Sequence, residues 1–190
     1  MKNTLLLITL LGPVRAVAQE TLQHQAERLQ AALQKSTQRD ADRLTLWNRL
    51  ADGFKNINPT EGIKAADQAV ELARELRQPL ALAEAHQNKG LNLLRQGKYD
   101  EAMHQFILSR KMNQQQNHKK GVAKNNCFLA ETYRNKGQLK ETIRLLNQSI
   151  GFYQKEKDKS GLALALYYRG VCYRNQAQYD SALVIFNDSP

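Results

Sequence analysis

Laid over itself at an offset of 40 residues, the chain keeps small and large residues in register through four successive copies without a gap. Leu50, Gly90, Ala130 and Gly170 align, and Gly53, Leu93, Tyr133 and Tyr173 align one helical turn later. Gly97, Gly137 and Ala177 follow, then Tyr99, Leu139 and Tyr179, then Gly62, Ala102, Thr142 and Ala182. Ala66, Phe106, Leu146 and Phe186 come next, and Ala69, Ser109, Ser149 and Ser189 close the series. Within the last copy, Leu166, Gly170 and Tyr173 fall at i, i+4 and i+7, one face of a helix. Beyond the polar break at Asn175 to Gln178, Tyr179, Ala182 and Phe186 fall at i, i+3 and i+7, one face of a second helix.

One such helix pair cannot bury its apolar face alone, whereas stacked pairs bury a continuous core. The pattern therefore predicts an all-α chain, an α-solenoid of helix–turn–helix units with a 40-residue period. Gly90, Ala102, Ala130, Gly170 and Ala182 let paired helices approach. Tyr99, Phe106, Tyr133, Tyr173, Tyr179 and Phe186 fill the space beside them. Gly97 and Gly137 stand just past helix ends, where a positive φ costs glycine little. Only 4 Pro among 190 residues, 42% hydrophobic content and a mean hydropathy of −0.62 fit a helical body in water. The net charge of +10 bears on non-specific attraction to acidic partners, not on fold or activity.

The units resemble tetratricopeptide repeats (TPRs), with GLNLLRQGKYDEAMHQF, from Gly90 to Phe106, the closest stretch to that consensus. The third copy departs at Leu139 and Thr142. The first departs at Gly62 and at Asn56 to Thr60, which replace the glycine turn. The period exceeds the commonest TPR length of about 34 residues, so a longer second helix and connector are expected.

Ahead of the repeats, residues 1–18 read as a secretory signal peptide. Lys2 begins it, Thr4 to Leu11 is apolar, Gly12-Pro13 breaks the run, and Ala16-Val17-Ala18 offers a cleavage site before Gln19. The apolar run is far shorter than the ~18 residues of a membrane span. The reading is an exported chain, periplasmic or extracellular, with no membrane span of its own. Residues 19–40 carry Leu22, Ala26, Leu29 and Leu33 on one helical face and are expected to cap the first repeat. Repeats are then expected at 41–82, 83–122 and 123–162, with an incomplete one at 163–190. There, Pro190 stands where Val70 and Ile150 stand in other copies, which resembles a truncation. Leu183 and Ile185 lie on an uncapped last helix, and self-association through it is expected.

The first copy, from Leu44 to Leu76, with Asn58-Pro59 and Ala65, Ala66, Ala69 and Ala73, carries a narrower resemblance. It is similar to the N-terminal extracytoplasmic TPR regions of bacterial membrane-bound sensor proteins of the histidine-kinase type. That resemblance implies the input region of a larger signalling receptor. The alternative is a stand-alone secreted or periplasmic scaffold for protein assembly.

In TPR proteins the first helix of each pair lines a concave groove for peptides or protein segments. Carried over, this implies lining faces at Trp47/Ala51/Phe54, Gln87/Leu91/Leu94, Cys127/Glu131/Arg134 and Tyr167/Val171/Arg174. Lys55, Arg95, Arg134 and Arg174 recur near the ends of these helices. They suit either a ligand carboxylate or the negative end of their own helix dipole. Trp47, Tyr167 and Tyr168 are anchor types for a partner or for packing between repeats. The lysine of a carboxylate clamp is replaced by Trp47, Gln87, Cys127 and Tyr167, although Asn48 and Asn88 sit beside the first two.

No GxSxG, HExxH or phosphate-cradling glycine loop is present. His24, His86, His104 and His118 lack ligand spacing, and His86 replaces a core residue. Cys127 and Cys172 read as structural thiols. Lys119, Lys120, Lys124, Lys155, Lys157 and Lys159 read as solvated connector charge without the interleaved aromatics of a nucleic-acid face. The expectation is a non-catalytic module that binds protein or peptide, with no metal, no cofactor and no nucleic acid.

Overall fold

The computed structural model describes residues 21–175, all in helices and tight connectors, with no strand among them. Helix α1 covers residues 21–35. It is followed by α2 (Ala41–Phe54), α3 (Pro59–Glu75), α4 (Pro79–Arg95) and α5 (Tyr99–Gln115). The array continues with α6 (Lys119–Asn135), α7 (Leu139–Lys155) and α8 (Lys159–Asn175). The expected signal peptide, and the positions Ala177, Tyr179, Ala182, Phe186 and Pro190 in the last copy, lie outside the described residues.

The period of 40 has a simple anatomy. From α3 onward each helix is 17 residues long, and three residues join it to the next. Two helices and two connectors complete the unit. The two helices of a unit are equal in length and so are its two connectors, so the second helix and its connector are no longer than the first. The connectors are short, so the unit boundaries fall before Pro79, Lys119 and Lys159. A boundary at 82/83 would cut α4, and Lys119 and Lys120 open α6 instead of lying in a connector.

Five helix ends close in the same way. Gln78 donates its backbone N–H to the Ala73 carbonyl and Arg77 donates to Arg74, a six-to-one and a five-to-two pair. The same two bonds recur at Lys98/Gly97, His118/Asn117, Gln138/Gly137 and Asp158/Lys157. The residue in the left-handed region is glycine after the first helix of a unit, Gly97 at φ 75° and Gly137 at φ 74°. After the second helix it is Arg77, Asn117 or Lys157, at φ 53° to 54°. Those three pay the Cβ penalty that glycine avoids. Side chains start some helices: Asp40 accepts from Arg43 N–H at 2.9 Å, and Asp158 from Gly161 N–H at 3.0 Å. Asn58 caps α3 ahead of Pro59, which suits the first helical turn.

Packing follows chain order. Each helix contacts the next, and α2, α4, α6 and α8 also contact one another in sequence. Call these the A helices, and α3, α5 and α7 the B helices. At each crossing a small residue meets a large one. A Cβ on Gly90 would lie 2.6 Å from the Phe106 ring, and one on Gly161 would lie 2.2 Å from Tyr153. Phe106, Ala102, Ala130 and Leu146 are fully buried. Phe128 links crossings, its ring 5.5 Å from Phe106 and 6.3 Å from Tyr168.

Two of the departures from the consensus, Thr142 and Gly62, have local compensations. Thr142 spends its hydroxyl on the Gln138 carbonyl at 3.0 Å and the Ala130 carbonyl at 3.3 Å, so it sits buried where alanine is usual. Gly62 makes room for Asn92, whose Oδ1 lies 1.9 Å from where a Cβ on Gly62 would be. The Asn92 amide then donates to the Ala51 carbonyl at 2.9 Å and to the Asn88 carbonyl at 2.8 Å, tying α4 to α2.

Ala26 and Leu33 of α1 pack with Leu50, Ala51 and Phe54 of α2 and Ala65 and Ala66 of α3, so α1 does cover the first repeat. It does so in a specific place. A cleft between α1, α2 and α3 includes Leu33, Gln34 and Gln68. A cleft between α5, α6 and α7 includes Asn113, Gln114 and Gln148, each 80 residues further on. Helix α1 therefore stands to α2 and α3 as the B helix α5 stands to α6 and α7.

Candidate functional site

Two kinds of recess run along the solenoid. On the B side, between consecutive B helices, lie the two clefts just described, of about 330 and 460 Å³. A third B-side cleft of about 460 Å³ contains Arg74, His86, Lys89 and His104. On the A side lies a recess of about 740 Å³. It spans α1 (Leu22, Arg28, Leu29), α2 (Leu46, Arg49, Asp52), α4 (Glu84, Gln87, Asn88) and α6 (Lys124). The A-side recess joins four helices and mixes apolar and charged walls, which makes it the candidate binding groove.

Most of the expected lining residues turn inward. Ala51, Phe54, Leu91, Leu94 and Cys127 are at most 6% exposed, and Val171 is buried as well. Gln87 is buried yet reaches the A-side recess. Glu131 and Arg134 are half-buried, and Arg174 is exposed. The offset of the stripe explains this. Trp47 points toward the B helix of its own unit, packing with Leu44, Ala69 and Ala73, whereas Gln87 at the same repeat position lines the recess. Cys127 lies next to Ser149 of α7. Tyr168, grouped with the exposed aromatics from sequence, is buried against Phe128, whereas Tyr167 is 54% exposed. Of the expected set Gln87 and Lys55 do line the recess; the rest of its α2 and α4 walls comes from positions outside that stripe, among them Asn48, Arg49, Asp52, Glu84 and Asn88.

The basic row is partly spoken for. Lys55 pairs with Asp52 within its own turn, and Arg95 meets Glu131 across the A helices at 3.5 Å. The Tyr168 hydroxyl is pushed above its usual range by burial and by the neighbouring Glu131 charge. Arg134 donates to Asn135 at 2.9 Å. Lys124 lies 5.9 Å from the Phe128 ring centroid, at the inner edge of the recess.

The floor between A helices is an asparagine ladder. Asn88 donates to the Asn48 carbonyl at 3.1 Å, and Asn92 repeats the link one turn on. All three asparagines are buried. A sequence signal existed, since Asn48 and Asn88 stand 40 residues apart beside the sought clamp positions. Their use, joining helices instead of holding a ligand, depends on Gly62 and is visible only in three dimensions.

The titratable core gives no sign of reactivity. Burial pushes the Cys127 thiol up to about 11, and burial likewise raises Cys172. Both thiols are free. Burial lowers His86 below the ordinary imidazole range, while its Nδ1 keeps a 2.7 Å contact with Gln105 Oε1. Among the described residues no three His, Cys, Asp or Glu side chains gather as metal ligands, and no helix is long and apolar enough to cross a membrane.

No protein-family model and no curated protein matches the sequence. Solved structures do. The TPR domain of Arabidopsis FLU is 23% identical, covers 59% of this chain and 95% of its own, and superimposes with a TM-score of 0.55. The nearly identical TPR-like repeats of a putative kinesin light chain of Podosopora anserina are 15% identical over 93% of this chain and 90% of that one, at a TM-score of 0.65. A Rap protein complexed with competence and sporulation factor is 14% identical, covers 89% of this chain and 58% of its own, and reaches a TM-score of 0.71. With the 17-residue helix pairs, small-on-large crossings and sequential stacking described above, the chain has the fold of a TPR-type α-solenoid.

Proposed function

We propose that the chain is a non-catalytic module that binds a protein or peptide segment, and that it forms the extracytoplasmic input region of a larger signalling receptor. The observation that carries the binding reading is the A-side recess. It joins α1, α2, α4 and α6 in one continuous cleft with apolar walls and exposed charge, yet holds no acid–base pair positioned on a nucleophile. A protein–protein role also accords with the company of TPR folds, one of them a Rap protein solved with competence and sporulation factor. In the signalling reading, a bound segment bridges successive A helices, fixes their relative tilt and so sets the curvature passed to whatever follows α8.

The export part rests on Lys2, the apolar Thr4–Leu11 run and the Ala16-Val17-Ala18 site. Fusion of residues 1–30 to a reporter phosphatase that is active only outside the cytoplasm tests it. Reporter activity with a mature N-terminus at Gln19 supports export; a cytoplasmic, uncleaved fusion refutes it. Binding is tested separately by selecting displayed peptides on the immobilised chain. Selected peptides should lose binding to an Arg49→Glu variant, and indifference to that change would remove the recess as the site.

A further inference from the structure

The register of α1 shows what the A-side recess is shaped to hold. Leu22, Ala26, Leu29 and Leu33 stand 40 residues before Gly62, Ala66, Ala69 and Ala73, and 80 before Ala102, Phe106, Ser109 and Asn113. In a complete unit that stripe of the B helix faces its own A helix. Phe106 fills the space over Gly90, and Ser109 donates to the Ala83 carbonyl at 2.6 Å. In α1 the same stripe, through Leu22, Ala26 and Leu29, lines the recess instead. The opposite wall is equivalent too. Asn88 and Asn92 of α4 face the preceding A helix and donate to Asn48 and Ala51. Their counterparts in α2, Asn48 and Asp52, face the recess. At its α1–α2 end the recess is therefore bounded like the berth of one A helix, and from there it runs on past α4 to α6.

Its chemistry is amphipathic. Leu22, Leu29 and Leu46 are half-buried and line it, giving an apolar floor. Four cations line it, Arg28, Arg49, Lys55 and Lys124, against two acids, Asp52 and Glu84. Since Lys55 and Asp52 pair with each other, Arg28, Arg49 and Lys124 oppose Glu84 alone.

We propose that this recess binds an amphipathic α-helix from a partner protein, one with leucine-type residues at i, i+4 and i+7 and acidic residues flanking them, which docks as the missing A helix beside α1. The helix completes a repeat in trans: its apolar stripe covers Leu22, Leu29 and Leu46, and its carboxylates meet Arg28 and Arg49, with Lys124 further along the recess adding to the positive field. The inference rests on the exported reading, in which cleavage before Gln19 leaves α1 without an A helix from its own chain.

The test uses the chain beginning at Gln19 and the full chain from Met1, with a fluorescein-labelled 18-residue probe helix bearing three leucines on one face and four glutamates beside them. A second probe replaces the glutamates by lysines. The expected result is saturable binding of the glutamate probe to the chain from Gln19, at least about tenfold tighter than the lysine probe at low salt. Arg49→Glu, an exposed change, should reverse much of that preference, and Leu29→Ser should weaken both probes while leaving the melting temperature within a few degrees. Equal binding of the two probes, or insensitivity to both substitutions, overturns the proposal. So does displacement of the probe by a synthetic peptide of residues 1–16 when the reporter fusion is not exported, because the chain's own segment would then be the occupant. Export with no probe binding removes this inference and leaves the exported module standing.

Discussion

The Gly62–Asn92 contact offers a quantitative test of how this solenoid is held together. Gly62→Ala places a methyl 1.9 Å from Asn92 Oδ1, which no small adjustment accommodates. The Asn92 side chain is fully buried and must leave its berth, giving up donors at 2.9 and 2.8 Å to Ala51 and Asn88. Two such bonds are worth about 1 kcal/mol each, and overpacking a tight site costs about 1–3 kcal/mol. Against these stands a gain of about 1 kcal/mol for replacing glycine within a helix. The net expectation is a loss of roughly 2–4 kcal/mol. In an Asn92→Ala background the obstruction is gone, so the same Gly62→Ala change should stabilise by up to about 1 kcal/mol. The coupling between the sites is then roughly 2–5 kcal/mol. Urea denaturation of the four chains of the double-mutant cycle, followed by far-ultraviolet circular dichroism, measures it. Additivity within about 0.5 kcal/mol would refute the reasoning.

Four further outcomes follow from the same geometry. Gly151→Ala, in a helix with nothing within 4 Å of the new methyl, should stabilise by about 1 kcal/mol, whereas Gly90→Ala, 2.6 Å from Phe106, should destabilise despite the same propensity gain; thermal melts separate the two. Lys157→Gly should relieve its left-handed backbone and stabilise by about 1 kcal/mol, and Gly137→Ala should cost about as much, because each residue ends a helix at positive φ. His86, held below its ordinary pKa by burial, is neutral in the fold; as pH falls through about 6.5 the unfolded chain takes the proton first. Stability should therefore decline from there toward the lower folded value, and His86→Gln should flatten that decline in melts at pH 7.5 and 5.5. Cys127, raised to about 11, and Cys172 should not react with a thiol reagent at pH 8 until urea unfolds the chain; a fast native reaction would contradict their burial.

The repeat was legible because its signal lies in size and spacing. Gly90 opposite Phe106 and Ala130 beside Thr142 are contacts within one unit, so a 40-residue offset exposes them. Glycine at positive φ was legible at Gly97 and Gly137, while Arg77, Asn117 and Lys157 carry the same turn without the residue that advertises it. The groove was less legible. One helical position, about 100° of rotation, separates Trp47 and Cys127, which face the B helix, from Asn48 and Asn88, which face the neighbouring A helix. Periodicity fixes that a stripe exists, not which way it turns. The role of α1 was within reach, since its Leu22, Ala26, Leu29 and Leu33 share the phase of Gly62, Ala66, Ala69 and Ala73. An amphipathic end helix nonetheless looks like a lid until its neighbours are seen.

The uniform three-residue connectors have a consequence for how such a chain can change over generations. Because every helix from α3 onward has the same length and every closure there the same hydrogen bonds, a duplication or loss of 40 residues with both ends beyond α3 preserves helix lengths and connectors. A recombination event need not respect a unit boundary, since a cut inside α4 rejoined at the matching place in α6 still yields a continuous helix. Growth and shrinkage of the array then leave the backbone frame intact, and what each event must restore is the side-chain fit between the units it newly joins.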